Sequence, residues 1–315
     1  MSGSASPNLS ETVAALSSQM PSVLRWAGAI AKQLRQHNIA VESKATGNVN
    51  TDALTLADLS LQDMLVCALR DCGPAVTGCR IEAEEETGPL DAFAEASPLT
   101  IALDPIDGTK QYRDRTGDGY AVMMLLRDET DVQYSLTYLP EMGPQGHWVE
   151  VNTPARAIRS MPDDWSARAE TVLANTQPID PKRRAMGRGV YLIGFRELDE
   201  PRAELVTDAG LKGYGPQQMP GSIYPLLAEG AFCGSLIHTP NVYDFPVSLQ
   251  IARLLGGDAI RVDTGQPIDF RDTWLDDRSG MVRLHGVVAC SPERKVVQTL
   301  AGLSREWNPK RYPDG

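Results

Sequence analysis

The sequence has no apolar run approaching the roughly 20 residues a membrane-spanning helix needs. It also has no long run of basic residues. With 30 basic against 41 acidic side chains the net charge is −11, so neither a nucleic-acid polymer nor an anionic membrane is an expected partner. Cysteine is scarce and odd in number. Cys67, Cys72, Cys79, Cys233 and Cys290 form no Cys-x-x-Cys pair, and no histidine stands beside them at ligand spacing. That pattern fits reduced thiols and argues against a disulfide frame. Residues 1–8 lack the basic and apolar pattern of a secretory signal, so a soluble, cytoplasmic protein is expected. An acidic protein can still bind anionic phosphates, provided metal ions invert the local charge.

At 315 residues the chain exceeds the usual single-domain size, and two sub-structures or one large two-part fold are expected. Val13, Leu16, Met20, Val23, Leu24, Ala27, Ile30, Ala31 and Leu34 recur at three- and four-residue steps. This predicts an amphipathic helix, or a pair broken near Pro21, opened by Ser10 as the cap. A polar turn follows at residues 44–50, and a second helix runs through Leu54, Leu61, Met64, Leu65, Ala68 and Leu69. A short strand at residues 79–82 leads into Glu84-Glu85-Glu86. Residues 120–126 read as a buried strand, joined by a hairpin to Val132, Tyr134, Leu136 and Tyr138, whose alternation marks a half-exposed antiparallel partner. Residues 140–146 read as a loop. Residues 154–169 look irregular, which divides the chain into halves at 10–153 and 154–300 with tails at 1–9 and 301–315. In the second half, strands are expected at 172–174 and 190–194. Helices are expected at 223–228 and around Val247, Ile251, Leu254 and Leu255, stopped by Gly256-Gly257.

Asp104-Pro105-Ile106-Asp107-Gly108-Thr109-Lys110 closes the apolar run Leu99, Ile101, Leu103. Two carboxylates at a strand end, followed by a Gly-Thr turn, place hard oxygen ligands beside free backbone N–H groups. Such a corner suits a divalent cation and the phosphate it polarises. Pro105 removes a donor and fixes φ, Gly108 permits a sharp turn, and Thr109 can cap the next helix. Three other acidic positions stand out: Asp58, the Glu84–Glu86 run, and Asp244. Singly, each has a plain reading as a solvated helix residue, a surface turn and a helix N-cap. Haloacid-dehalogenase-type phosphatases carry Asp-x-Asp-Gly-Thr after a strand, with the first Asp as nucleophile. The Asp-x-x-Asp spacing here is one residue longer and counts against that chemistry.

Together and in this order, the four clusters resemble the lithium-sensitive phosphatase family of inositol monophosphatases and 3′(2′),5′-bisphosphate nucleotidases. The resemblance spans residues 10–290, and the Asp104–Thr109 motif carries it most strongly. Ala83-Glu84-Glu85, Thr55-Leu56-Ala57-Asp58 with Lys44 before it, and Tyr243-Asp244 followed by Gly256-Gly257 are similar to its other elements. The resemblance implies an α+β fold, a layered α-β-α-β-α sandwich with an antiparallel sheet in the first half and a mixed α/β second half. It implies two or three Mg²⁺ ions held by Glu85, Asp104, the Ile106 carbonyl, Asp107 and Asp244, with Glu86 the alternative if the register shifts by one. Thr109 and Asp58, with Glu85, would serve the attacking water. Gly108, Thr109, Lys110 and Ser222 would face substrate. An oxygen-only ligand set suits Mg²⁺ and leaves His37, His147, His238 and His285 unneeded as ligands, although His238 lies close enough to Asp244 in sequence to touch substrate.

Lys110-Gln111-Tyr112 is similar to the continuation found in bisphosphate nucleotidases, where inositol monophosphatases carry Thr-Asn-Phe; the same Lys occurs in members acting on histidinol phosphate. Ile237, seven before Asp244, stands where inositol-specific members place an acidic contact. Gly221-Ser222-Ile223-Tyr224-Pro225 lacks the Lys of the nucleotidase pattern, Tyr243 replaces Trp, and Pro246 is unusual. Lys182-Arg183-Arg184 and Arg188 read either as replacement charge or as a solvated helix face. The resemblance therefore implies a Mg²⁺-dependent phosphomonoesterase of a small phosphorylated metabolite, first a bisphosphate nucleotidase converting adenosine 3′,5′-bisphosphate to AMP and phosphate. The alternatives are an inositol monophosphatase-like, histidinol-phosphate or sugar-phosphate phosphatase, and, in another class, a non-catalytic metal- or ligand-binding homologue. Relatives occur as monomers and as dimers, so either a monomer or a homodimer is expected.

Overall fold

The computed structural model describes residues 7–37, 55–308 and 310–312. Helices α1 (Leu9–His37), α2 (Leu56–Asp71) and α3 (Pro74–Thr77) precede strands β1 (Arg80–Ala83) and β2 (Thr100–Asp107). The short helix α4 (Thr109–Asp114) follows, then β3 (Ala121–Arg127), β4 (Val132–Leu139), β5 (His147–Asn152), β6 (Ala157–Pro162) and α5 (Ala169–Asn175). Next come β7 (Gly189–Ile193), α6 (Asp199–Asp208), β8 (Lys212–Tyr214), α7 (Ile223–Glu229), β9 (Phe232–His238) and α8 (Phe245–Leu254). Strands β10 (Asp258–Arg261), β11 (Thr273–Asp276), β12 (Met281–Leu284) and β13 (Val287–Ser291) lead to α9 (Arg294–Ser304).

Strands β1 to β6 form one sheet in sequence order, parallel between β1 and β2 and antiparallel thereafter. A second, mixed sheet has the order β10-β13-β9-β7-β8. Alternate residues decide the layering. Ile101, Leu103, Val122, Met124 and Leu136 face Leu16, Met20, Leu24, Leu61 and Leu65 of α1 and α2. On the opposite face, Ala102, Met123, Leu125 and Val149 meet Leu227, Val247 and Ile251 of α7 and α8, which also cover Ala259, Val288 and Cys290 of the second sheet. Val190, Leu236 and Ala289 on the far face of that sheet pack on Ala203 and Val206 of α6 and Val297 and Leu300 of α9. The result is the five-layer α-β-α-β-α sandwich. Both faces of the central strands are buried, which is why residues 121–126 form a continuous apolar run rather than an alternating one.

The structure corrects several local expectations. Helix α1 is unbroken through Pro21, and its cap is Asn8 rather than Ser10: Asn8 Oδ1 accepts from the Ser10 N–H at 2.9 Å and the Glu11 N–H at 3.3 Å. Strand β4 is not half-exposed. Ser135 and Thr137 are buried, and the Ser135 hydroxyl donates to Gln250 Oε1 of α8 at 2.6 Å. The region 154–169 holds β6, the last strand of the first sheet, and residues 172–174 lie in α5 rather than a strand. The polar turn at 44–50 and Lys44 lie outside the described residues. Among the described residues no helix is long and apolar enough to cross a membrane.

Candidate metal centre

The end of strand β2 and the start of helix α8 bring acids to one corner between the two sheets. In a regular strand, residues three apart point to opposite faces. The β2–β3 register shifts between Asp104, opposite Met123, and Asp107, opposite Ala121, so three steps on β2 match two on β3. That bulge returns Asp107 to the face of Asp104. Pro105 has no N–H to offer the ladder and is tolerated where pairing lapses. Carboxylate oxygens of Asp104, Asp107 and Asp244 consequently lie within 4.8 Å of one another. Gly108 then takes φ +83, a left-handed turn that glycine adopts without strain, and it, not Thr109, is the N-cap of α4.

The glutamate run divides by the same alternation. The Glu84 N–H donates to the Leu103 carbonyl at 3.2 Å, continuing the parallel β1–β2 ladder and setting Glu84 beside Asp104. Its carboxyl comes within hydrogen-bonding reach of Asp104. Glu85 turns toward Asp58 of α2 and is buried, its N–H donating to Gln62 Oε1 at 2.7 Å while Gln62 Nε2 donates to the Glu85 carbonyl. Asp58 itself serves two elements. Its Oδ2 accepts from the Thr55 N–H at 2.7 Å, one half of the capping box that opens α2, and from the Thr55 hydroxyl at 2.6 Å. Its Oδ1 lies 3.2 Å from the Thr109 hydroxyl, which also reaches the Ile106 carbonyl at 2.8 Å. Asp58 is buried, so it is not the solvated helix residue of the plain reading: one oxygen caps α2 and the other faces Thr109.

Asp244 occupies the N-cap position of α8, yet its side chain makes no cap hydrogen bond. Asn241 does the local work: its Oδ1 accepts from the Tyr243 and Asp244 N–H groups at 2.9 and 3.0 Å, and its Nδ2 donates to Asp244 Oδ2 at 3.1 Å. Pro246 falls in the first turn of α8, where no N–H is needed. Tyr243 is buried, and its hydroxyl accepts from the Val282 N–H at 3.0 Å.

Burial raises the carboxyl groups of the corner. Asp104 is held well above the usual carboxylate range by burial, with Glu84, Asp107 and Asp244 pushing the same way. Asp107 is also raised by burial and by Asp244, against a hydrogen bond from the Tyr224 hydroxyl and one from the Gly108 N–H. Burial pushes Asp244 up to about 6, against the Asn241 hydrogen bond and the Arg283 charge. Asp58 is likewise raised to about 6 by burial, against its Thr55 bonds. Oδ1 of Asp104 is buried without a hydrogen-bond partner. An all-oxygen donor set, repelling itself and carrying a bare carboxylate oxygen, is suited to a hard divalent cation.

Of the other expected positions, Lys110 lies 3.3 Å from Asp114 in an i,i+4 pair. Ser222 stands at the start of α7 with its hydroxyl buried and unpartnered, and Gly119 passes so near that a Cβ there would lie 2.8 Å from the Ser222 nitrogen. Ile237 lies partly buried in β9. His238 stacks on Phe195, in the layer against α6 and α9. Arg184 does not lie in a helix: it donates to the Leu227, Ala228 and Phe232 carbonyls around the end of α7. Sequence reasoning missed Gln62, Tyr224 and Asn241, and placed Glu84 behind Glu85. No signal in the sequence ranks Glu84 over Glu85; the register of the β1–β2 ladder does.

Residues 16–157 match the profile of the inositol monophosphatase family. No curated protein sequence matches the chain significantly. Among solved structures, the extragenic suppressor protein SuhB from Bartonella henselae superposes with a TM-score of 0.61 at 14% identity, covering 92% of this chain and 98% of that one. CysQ from Bacteroides thetaiotaomicron, a bacterial member of the inositol monophosphatase family, gives 0.57 at 14% identity over 91% of this chain and 100% of that one. SaIMPase-II with 2′-AMP bound gives 0.55 at 15% identity over 93% of each chain. At such identities the likeness of the structures is one of fold.

Proposed function

We propose that the chain, whose residues 16–157 match the inositol monophosphatase family, is a metal-dependent phosphatase of that family and, more narrowly, a 3′(2′),5′-bisphosphate nucleotidase acting through the Asp104–Asp107–Asp244 corner. The observation that carries the reading is the bulged end of β2, which sets Asp104 and Asp107 beside Asp244 at the start of α8, with one Asp104 oxygen unpartnered. Asp104, Asp107 and Asp244, with the Ile106 carbonyl and one of Glu84 and Glu85, would hold Mg²⁺. Bound there, the ions supply a water of lowered pKa and neutralise charge on the phosphoryl group and its leaving oxygen.

The chain's own groups do the rest. Thr109 has one hydroxyl hydrogen and two acceptors in reach, Asp58 Oδ1 and the Ile106 carbonyl, so the hydroxyl is held in place with a lone pair free for water. Asp58, raised to about 6, is a base matched to that task near neutral pH. The backbone of Gly108 and Thr109 at the start of α4 faces the phosphate, Lys110 supplies a cation for the second phosphate of the substrate, and the Ser222 hydroxyl lines the same side. Ile237 leaves inositol hydroxyls without an acidic partner, and burying polar groups unpaired is costly.

Turnover of an aryl phosphate with and without Mg²⁺, followed by a panel of adenosine 3′,5′-bisphosphate, inositol, histidinol and sugar phosphates, tests the reading. Efficiency on the bisphosphate should exceed that on inositol phosphate by at least about a hundredfold, about 2.7 kcal/mol of differential transition-state binding. Equal efficiencies, or a preference for another phosphate, would remove the nucleotidase assignment and leave the phosphatase. Mg²⁺ binding without turnover would instead identify a binding homologue.

A further inference from the structure

A buried ionic cluster borders the Asp244 corner and takes no part in the reaction described above. Asp276, at the end of β11 and 1% exposed, faces Arg283 Nε at 2.9 Å, Arg311 Nε at 3.1 Å and the Tyr312 hydroxyl at 2.9 Å. Both arginines also reach Thr239: Arg283 Nη1 donates to its carbonyl at 3.2 Å and Arg311 Nη1 to its hydroxyl at 2.9 Å. Thr239 has φ +46, a left-handed conformation that a β-branched residue adopts only under constraint. It stands between the end of β9 and Asn241, the residue that orients Asp244.

The corner is tied to β12 as well. Asn241 bridges to Arg283, the Val242 N–H donates to the Val282 carbonyl at 3.2 Å, and the Val282 N–H donates to Tyr243. Two guanidinium groups against one carboxylate leave the cluster with net positive charge, and the Arg283 cation acts on Asp244. Two buried arginines repel each other, and Asp276 between them is what makes the arrangement tolerable. Such a cluster is a poor source of stability and a good source of position.

We propose that Arg311 and Tyr312 latch Asp276 and Arg283 against Thr239 and so set the place of Asp244, which makes them positioning residues for the metal centre. The inference rests on the reading of Asp244 as a metal ligand. It extends the working part of the chain to a segment that carries none of the family's motifs.

Mn²⁺ titration of the full chain, followed by the loss of the free-ion electron paramagnetic resonance signal, tests it beside the Mg²⁺ dependence of activity. Tyr312→Phe removes one hydroxyl at constant volume, Arg311→Met removes the fork, Arg311→Lys keeps the charge, and Asp244→Asn is the control. Arg311→Met should weaken Mn²⁺ binding about tenfold, the scale of lost outer-shell support, with activity recovered at high Mg²⁺. Tyr312→Phe should weaken binding less, and Arg311→Lys should restore part of it. Unchanged Mn²⁺ affinity in both Arg311→Met and Tyr312→Phe would overturn the latch, whatever happens to their melting temperatures. So would an activity loss that no Mg²⁺ concentration restores. If Arg311→Met does not fold, Tyr312→Phe decides alone. Wild-type affinity in Asp244→Asn would overturn the metal-ligand reading itself, whereas loss there with none in the latch variants would sink only the latch.

Discussion

Asp104 is costly to the fold and is the residue on which the proposed metal site most depends. Its carboxyl is buried beside Glu84, Asp107 and Asp244, with one oxygen unpartnered. Replacing it with Asn removes one charge from a group of mutually repelling acids. In the absence of metal, Asp104→Asn is expected to melt at the wild-type temperature or above. In Mg²⁺ it is expected to lose about a hundredfold to a thousandfold in kcat, the range that follows removal of a charge-stabilising group. Calorimetry of the metal-free protein and a single-substrate assay check the two halves. Appreciable turnover at saturating Mg²⁺ would count against the assignment of this residue.

At the scale of the element, helix α2 is the part of the site most exposed to a small change. Thr55 caps the helix and fixes Asp58 through both its N–H and its hydroxyl, so one threonine would serve both the fold and the proposed chemistry. Thr55→Ala should destabilise the protein by about 1 kcal/mol, the usual cost of a lost N-cap. It should also lower kcat more than a stability loss of that size explains, because the Thr109–Asp58 pair loses its anchor. Thr55→Ser keeps the hydroxyl and should restore both. Urea denaturation and steady-state kinetics on the pair of variants separate the effects; a stability loss with wild-type kcat would show that Asp58 needs no such anchor.

For the whole molecule the acidic centre sets a dependence on pH and metal. Asp58 and Asp244 are raised to about 6 in the fold, above the ordinary value of 3.8. Their contribution to stability is therefore complete below about pH 4 and is lost as pH rises from there through about 6. Mg²⁺ held at the proposed centre would reverse the sign there by favouring the ionised form. The metal-free protein should thus lose melting temperature from these groups between pH 4 and 6, and the increment produced by Mg²⁺ should grow over the same interval. Thermal scans with EDTA and with Mg²⁺ at matched ionic strength check this; an increment that shrinks as pH rises would contradict it. Li⁺ at millimolar concentration or below is expected to inhibit turnover, measured by titration at fixed Mg²⁺.

The sequence alone identified the elements whose cause is local. Asp104-Pro105-Ile106-Asp107-Gly108-Thr109 announces a strand end and a turn because proline and glycine act on their own backbone. The helical periods of α1, α2 and α8 and the β3–β4 hairpin are legible for the same reason. The tertiary structure decided which way side chains face. The β2 bulge that joins Asp104 to Asp107 depends on pairing with β3, and the division of Glu84 from Glu85 depends on pairing with β1 and β2. Ser135 and Thr137 looked like a solvent face because they are polar; α8 covers that face, and Gln250 satisfies Ser135. The union of Asp244 with a motif nearly 140 residues earlier, and the use of Arg311 and Tyr312 behind it, are set by how the two sheets pack. Hydrophobic periodicity reports contacts a few residues apart, whereas register and layer order are fixed by contacts a hundred or more residues apart.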